Sequence, residues 1–180
     1  HIQKWHSKVT LVINDFETEV IALIDTGADL NCIQEGLIPT KYFHKTTDQL
    51  SSANGSQMHI QYKLPKVHIY QENFCFKTSF VLVQNLTDKV ILGTPFIFLL
   101  YPFTTTNHGI TTHAFGQKVT FRFLSPPEVQ ELNQSKEYFI SQSINRLTKQ
   151  LKFLKEEVKY KRIETQLANP TLQSKFKQFN

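Results

Sequence analysis

The chain has 180 residues, 40% of them hydrophobic, with 20 Lys/Arg against 15 Asp/Glu and a net charge of +5. That length holds one domain with an appendage, or two very small domains, and is long enough to bury a real core. No apolar run reaches the roughly 18–20 residues of a membrane-spanning helix, so no membrane partner is expected.

The first residue is His1, and no charged-then-apolar leader follows it. No signal peptide is therefore expected, and the chain reads as a piece of a longer one. The Asn-x-Ser/Thr triplets at Asn54, Asn85 and Asn133 carry no weight without such a signal. Cys32 and Cys75 lack CxxC spacing; both are expected to be small buried hydrophobes in a reducing, intracellular setting.

In chain order, Val9 to Ile13 is a first short strand, closed by Asn14-Asp15, and Glu19 to Ile24 a second. The second runs straight into Asp25-Thr26-Gly27. Further strands are expected over His59 to Tyr62, Lys66 to Tyr70, Phe74 to Val83, Val90 to Leu92 and Lys118 to Leu124. Their punctuation is Asn54-Gly55, Gln71-Glu72-Asn73 and Phe115-Gly116-Gln117. β-branched and aromatic residues at this spacing, broken by turn residues, predict short strands and hairpins in a small barrel or sandwich. Phe74, Phe76 and Phe80 share one strand face, with Cys75 on the other, and read as core. Phe121 and Phe123 do the same.

Ser125-Pro126-Pro127 then divides two textures. Beyond it Ile140, Ile144, Leu147, Leu151, Leu154 and Val158 recur at alternating spacings of four and three, an a/d seam on a helix that Asn169-Pro170 ends. The expected domains are residues 1–125, mainly β, and 126–180, a helical connector. Ten Lys/Arg against nine Asp/Glu give the first a net of +1, and ten against six give the second +4. Nucleic acid could meet that basic tail, but a solvated helix face is the favoured reading.

Asp25-Thr26-Gly27 admits two readings. It is a turn in which Asp25 caps local N–H groups, or it is half of an acid-protease site. Peptide hydrolysis by carboxylates needs two, facing each other about 3 Å apart and sharing one proton, so that one acts as base and the other as acid. The remaining aspartates, Asp15, Asp29, Asp48 and Asp88, lie in no second Asp-Thr/Ser-Gly. A proteolytic reading therefore requires a homodimer with Asp25 from each chain on the two-fold axis. Other chemistries find no support. Neither HxxxH nor HExxH occurs, so no metal site is expected; GxSxG and phosphate-binding glycine loops are absent. His108 and His113 read as surface residues flanking a loop, and Leu99 to Phe103 as an apolar stretch that a dimer could cover.

Three features in order resemble the retropepsins, the dimeric aspartic proteases of retroviruses and reverse-transcribing elements. They are Leu23-Ile24-Asp25-Thr26-Gly27-Ala28, then Ala53-Asn54-Gly55 before the strand Met58 to Tyr62, then Val90-Ile91-Leu92-Gly93-Thr94-Pro95-Phe96. The resemblance covers about residues 8–124. It implies a small closed barrel, Asp25 and its dimer mate as base and acid, and Thr26 bracing the dyad. It also implies that Gly27, Ala28, Asp29, Ile91 and Gly93 border the substrate backbone. Ser52, Ala53, Asn54, Gly55 and Ser56 would form the tip of a flap over an extended peptide, and no cofactor is implied. Asp29 to Ile33, Ile91 to Ile97 and Leu100 to Phe103 are similar to the protease segment of plant pararetroviruses, the caulimovirus-like group. This implies self-processing of a polyprotein, a reverse transcriptase downstream, and host cytoplasm or virion as the setting. One position departs from the pattern. Many retropepsins carry Arg after the Gly of the third motif, paired with the acid four residues past the catalytic Asp; here that position is Thr94. Asp29 is thus expected to lack its partner, and the tail seam could compensate in dimerisation. The rival reading is a catalytically silent module of the same fold whose basic tail contacts nucleic acid or polymerase.

Overall fold

Alternation of apolar and polar residues sets the strands. Ser7, Val9, Leu11 and Ile13 are the buried positions of β1 (His6–Ile13), and Val20, Ala22 and Ile24 those of β2 (Phe16–Ile24). Asn14-Asp15 joins them as a two-residue turn, with Ile13 paired to Phe16 and Asn14 at φ 52°. Asn tolerates that left-handed conformation better than most residues. The computed structural model describes residues 4–51, 55, 57–114, 116–136 and 144–151.

The remaining strands are β3 (Cys32–Gln34), β4 (His44–Lys45), β5 (Gln49–Ser51), β6 (Gln57–His59), β7 (Tyr62–Gln71), β8 (Phe74–Val83) and β9 (Val90–Leu92). A short helix α1 (Thr94–Ile97) precedes β10 (Phe103–Thr105), β11 (Gly109–Ala114) and β12 (Gln117–Arg122). The protein is mainly β. Six strands close a barrel in the order β1-β2-β9-β3-β8-β7, with β7 returning to pair with β1 through Leu11 and Ile69. Closure leaves no bare edge among those six strands.

The barrel's sheet is two-faced where β9 runs between β2 and β3. Leu92, Ile33, Phe80 and Leu82 point into the main core. On the opposite face Cys32, Val81 and Val83 form a second, smaller cluster with Ile60, flanked by Leu30, Leu50, Leu86 and Ile91. Burial on both faces explains why β8 alternates from Phe74 to Ser79 and then is buried without interruption from Phe80 to Val83. The three-stranded sheet β10-β11-β12 adds Ile110, Val119 and Phe121 to the main core, where Phe121 meets Phe96 edge-on at 5.6 Å. Trp5 stacks on Phe123 at 5.3 Å.

Expectation and structure differ at particular places. The strand read over Met58 to Tyr62 is split, because Ile60 and Gln61 bond back to Asp48 and Thr46 and separate β6 from β7. Lys66 to Tyr70 is the far part of β7, which begins at Tyr62 across a bulge between Leu64 and Val67. His113 does not flank a loop but lies within β11, whose Thr111 and Thr112 are β-branched. Cys75 is exposed, not buried, because strand parity turns it away from Phe74 and Phe76. The turn at Glu72-Asn73 stands where expected, with Glu72 at φ 54°, and Gly116, at φ 75°, lies between the paired Ala114 and Gln117.

After β12, Ser125 and Glu128 bond reciprocally: the Ser125 N–H donates to Glu128 Oε2 at 2.9 Å and the Glu128 N–H to Ser125 Oγ at 3.3 Å. This is a capping box, and residues 126–136 are helical. The chain divides into compact units His1–Val129 and Gln130–Asn180. In the second, residues 144–151 are helical, and Ile144, Leu147 and Leu151 are all exposed. Ile140, Leu154, Val158 and the stop at Asn169-Pro170 lie outside the described residues. Among the described residues no helix is long and apolar enough to cross a membrane.

Candidate active site

The apolar run Val20 to Ile24 ends at Asp25 because β2 lies between two partners there. Leu23 and Ile24 pair with Ile91 and Leu92 of parallel β9. The Asp25 N–H donates to Leu92 O at 2.9 Å, and the Ile24 N–H to Trp5 O at 2.8 Å. The chain then turns sharply. The Ala28 N–H donates to Asp25 O at 3.2 Å, and the Gly27 N–H to the Asp25 carboxylate at 2.9 Å. Asp25 and Ala28 are half-buried, while Thr26, Gly27 and Asp29 are exposed. A Cβ on Gly27 would stand 3.3 Å from the Asp25 carboxylate, so the small residue keeps that oxygen accessible.

Gly93 meets this turn from below. A Cβ there would fall 2.5 Å from Ala28 O and 2.6 Å from Leu30 O, so any side chain would force the backbone to shift. The Thr94 N–H donates to Ala28 O at 2.8 Å. The first and third motifs, far apart in sequence, are thus one physical unit. Ile91 is half-buried on the face of β9 opposite the main core, beside Leu30 and Cys32.

The second motif is also a hairpin, β5 paired with β6 from Gln49–His59 to Ser51–Gln57. Gly55 sits at its end with φ +83°, a conformation suited to glycine. Ser52, Ala53, Asn54 and Ser56 lie outside the described residues. Leu50 on the hairpin reaches the same apolar cluster as Leu30 and Ile91, so the arm's base and the floor beside Asp25 share a layer. A recess of about 290 Å³, lined in part by Met58, Ile60, Leu82 and Val83, opens beside that arm.

The other carboxylates are accounted for singly. Asp15 accepts from Tyr42 Oη on the turn after β1. That bond, its own backbone N–H and Lys41 hold the carboxyl below its ordinary 3.8. Asp88 bonds His6 Nε2 at 2.8 Å and lies 3.6 Å from Lys4 Nζ. Asp29 makes no ion pair among the described residues. Cys32, buried in the apolar layer, has its thiol pushed up to about 11 by desolvation.

Residues 5–99 match the retroviral aspartyl protease family. The chain belongs to that family. Its fold is similar to the retroviral protease-like domain of Ddi1 from Leishmania major, at 12% identity and TM-score 0.49, over 71% of this chain and 96% of that one. It is also similar to the EIAV protease complexed with the inhibitor HBY-793, at 19% identity and TM-score 0.44, over 58% and 94%. No curated protein matches.

Asn31 carried no signal of its role in the sequence. Its side chain is 1% exposed and accepts from the Gly93 N–H at 2.8 Å. The second apolar layer of Leu30, Leu50, Ile60 and Val81 was not expected either. Opposite parity to the core positions of β8 and β9 was the signal for Val81 and Ile91; nothing local marked Leu50.

Proposed function

We propose that the chain is a homodimeric aspartic endopeptidase that cuts its own polyprotein at short extended segments. The observation that carries this is the single Asp25 carboxylate at the end of β2, braced by the Gly27 N–H, in a chain whose β5-β6 hairpin packs through Leu50 on the same apolar layer as Leu30 and Ile91. The only other aspartates are Asp15, Asp29, Asp48 and Asp88, none in a matching triplet. Two of those are engaged elsewhere, Asp15 with Tyr42 and Asp88 with His6. The second carboxylate then comes from a second copy.

In that dimer the two Asp25 side chains cannot both ionise at contact, and they share one proton. The ionised member takes a proton from water as it attacks the scissile carbonyl. The protonated member donates to the carbonyl oxygen, and the pair then returns a proton to the leaving amine. Thr26 braces the dyad across the axis. Gly27, Ala28, Asp29, Ile91 and Gly93 border the substrate, and residues 52–56 close over it. An extended peptide between flap and floor pairs its backbone as an added strand. This chemistry asks for no metal and no organic cofactor, because two carboxylates sharing a proton supply both base and acid.

The finer reading is a caulimovirus-like protease, with residues 1–125 as the catalytic domain and 126–180 as the connector toward reverse transcriptase. It rests on the wording of Asp29 to Ile33, Ile91 to Ile97 and Leu100 to Phe103. Host cytoplasm or virion follows from that reading.

Subunit mixing tests the two-chain site. Titrating native protein with an equal amount of Asp25→Asn chain redistributes subunits, so peptidase activity per native chain falls to about half. Activity unchanged by the mixing, under conditions where subunits exchange, would overturn the shared dyad. If neither chain cuts at concentrations where sedimentation shows dimer, the silent-module reading takes its place. Its basic tail, including Lys149, Lys152, Lys155, Lys159, Lys161 and Arg162, would then show salt-dependent nucleic-acid binding.

A further inference from the structure

Three hydrogen bonds hang the 25–31 loop on the turn after β9. They run from the Asp25 N–H to Leu92 O (2.9 Å), from the Thr94 N–H to Ala28 O (2.8 Å), and from the Gly93 N–H to Asn31 Oδ1 (2.8 Å). The first two are backbone to backbone. The third passes through a side chain, and that side chain does more. Asn31 Nδ2 donates to Thr78 Oγ1 at 2.8 Å and to Ser79 O at 2.9 Å. The residue's own carbonyl accepts from the Val81 N–H at 2.9 Å. One amide, 1% exposed, therefore joins the catalytic loop, the Gly93 turn and β8.

The chemistry of the position is specific. The site offers one N–H and two acceptors, and a primary amide answers with one acceptor and two donors. All of the amide's partners are uncharged, so a carboxylate of the same shape would be buried without compensation. An aliphatic residue would strand the Gly93 N–H, whose acceptor among the described residues is the Asn31 side chain.

Resting on the proteolytic reading and deepening it, we propose that Asn31 is the positioning residue of the catalytic loop. It fixes the orientation of the Asp25 carboxylate by locking the 25–31 segment to Gly93 and β8. This supplies, inside the barrel wall, the tie between first and third motifs that an Asp29–Arg pair cannot make in a chain with Thr94. The loop's two ends are held differently: Asp25 by Leu92 of β9, and Asn31 by Gly93 just past β9 and by β8.

The test uses the full chain as native protein, Asn31→Ala and Asn31→Asp, with two readouts. The first is amide exchange at Gly93, Thr94 and Val20 by NMR. The second is cleavage of a pool of unstructured synthetic peptides, read by mass spectrometry and followed on one cleaved member for kcat and KM. In Asn31→Ala, exchange at Gly93 and Thr94 quickens at least about tenfold while Val20 in β2 holds its native rate. In the same variant kcat falls by about tenfold or more with KM little changed. Asn31→Asp behaves differently with pH. Its protonated carboxyl is neutral and keeps one donor and one acceptor, so its deficit relative to native narrows as pH falls, whereas the Asn31→Ala deficit does not.

Exchange at Gly93 within about twofold of native in Asn31→Ala would overturn the proposal. So would equal quickening at Val20, or an Asn31→Asp deficit that stays flat or widens toward acid. If Asn31→Ala does not fold, Thr78→Val, which removes one partner of the amide, is read the same way with a smaller effect. If the native chain cuts no peptide, the proteolytic reading fails on its own account, and the exchange at Gly93 still decides whether Asn31 holds the loop.

Discussion

The backbone carbonyl of Leu92 accepts the N–H of Asp25 at 2.9 Å, and that contact ties the end of β2 to the strand of the third motif. The two residues are brought together by parallel pairing of β2 with β9, which sets Leu23 against Ile91 and Ile24 against Leu92. A carboxylate at the end of the apolar strand is thereby held at a rim of the barrel, half-buried and next to exposed Thr26 and Gly27. Its place depends on how closely the backbone after Leu92 can approach.

That approach is set by Gly93. A methyl group there would stand 2.5 Å from Ala28 O and 2.6 Å from Leu30 O. Both contacts are backbone, so the loop itself must move. Gly93→Ala is expected to destabilise the fold by roughly 1–3 kcal/mol, the usual cost of overpacking, and to lower kcat beyond what the lost stability explains. Thermal melts beside single-turnover cleavage check this. Native stability with native kcat would show that the loop yields freely.

If two Asp25 side chains share one proton, activity is expected to be bell-shaped on the acid side of neutral. The limbs report two macroscopic constants of the pair. Initial rates across pH 3–9, a window set by the ordinary range of carboxylates and imidazole at roughly 4–7, check the shape. A flat profile would contradict a dyad mechanism.

Tyr42 and Asp15 close the turn between β1 and β2 at a distance from the site. Hydrogen bonding from Tyr42 lowers the Asp15 carboxyl below 3.8. A depressed carboxyl contributes stability that is present above its unfolded value and lost as pH falls through its folded one. Tyr42→Phe should therefore lower Tm most near neutral pH, with the difference from native shrinking below pH 3.8. A difference that grows toward acid would reverse the sign and refute the assignment.

The two cysteines should separate by reactivity. Cys32 is buried with its thiol raised to about 11, whereas Cys75 is exposed on β8. At pH 8 a thiol-alkylating reagent is expected to label Cys75 quickly and Cys32 only on unfolding. The raised thiol also stabilises the fold at pH values below 9.0, and that contribution fades as pH climbs from 9.0 toward about 11. Equal labelling of both in folded protein would contradict the buried layer beneath the hairpin.

Ile144, Leu147 and Leu151 present three exposed apolar side chains on a helical turn pattern. If the seam aids dimerisation, Leu147→Glu with Leu151→Glu in the full chain weakens the dimer by at least about tenfold, or about 1.4 kcal/mol, in sedimentation equilibrium. Unchanged affinity would assign the dimer to the barrel alone.

The sequence showed the barrel's hairpins well because their turns are local. Asn14-Asp15 and Glu72-Asn73 each mark a two-residue connection, and each links the strands expected, whereas β11, the partner of β12, was not expected. It showed Phe76, Phe80 and Phe121 as core because strand parity is local too. What escaped was long-range. Cys32–Gln34 is three residues long and exists as a strand only because β8 and β9 flank it. His44–Lys45 exists only against β7. Asn31 looked like one more polar loop residue, since its partners Thr78, Ser79 and Gly93 are remote in the chain. The cluster of Leu50 with Cys32 and Ile91 is likewise a product of closure. The family resemblance pointed to the triplet, the hairpin and the glycine turn; it gave no sign of the Asn31 contacts.

The most direct measurement is cleavage of a longer precursor containing this chain, at mildly acidic pH, with native Asp25 and with Asp25→Asn side by side over a range of concentrations. Only the native precursor should be cut, and its specific rate should rise with concentration until dimer is saturated. Equal cleavage by both, or a specific rate independent of concentration through the range where monomer becomes dimer, would contradict a site built from one Asp25 of each chain.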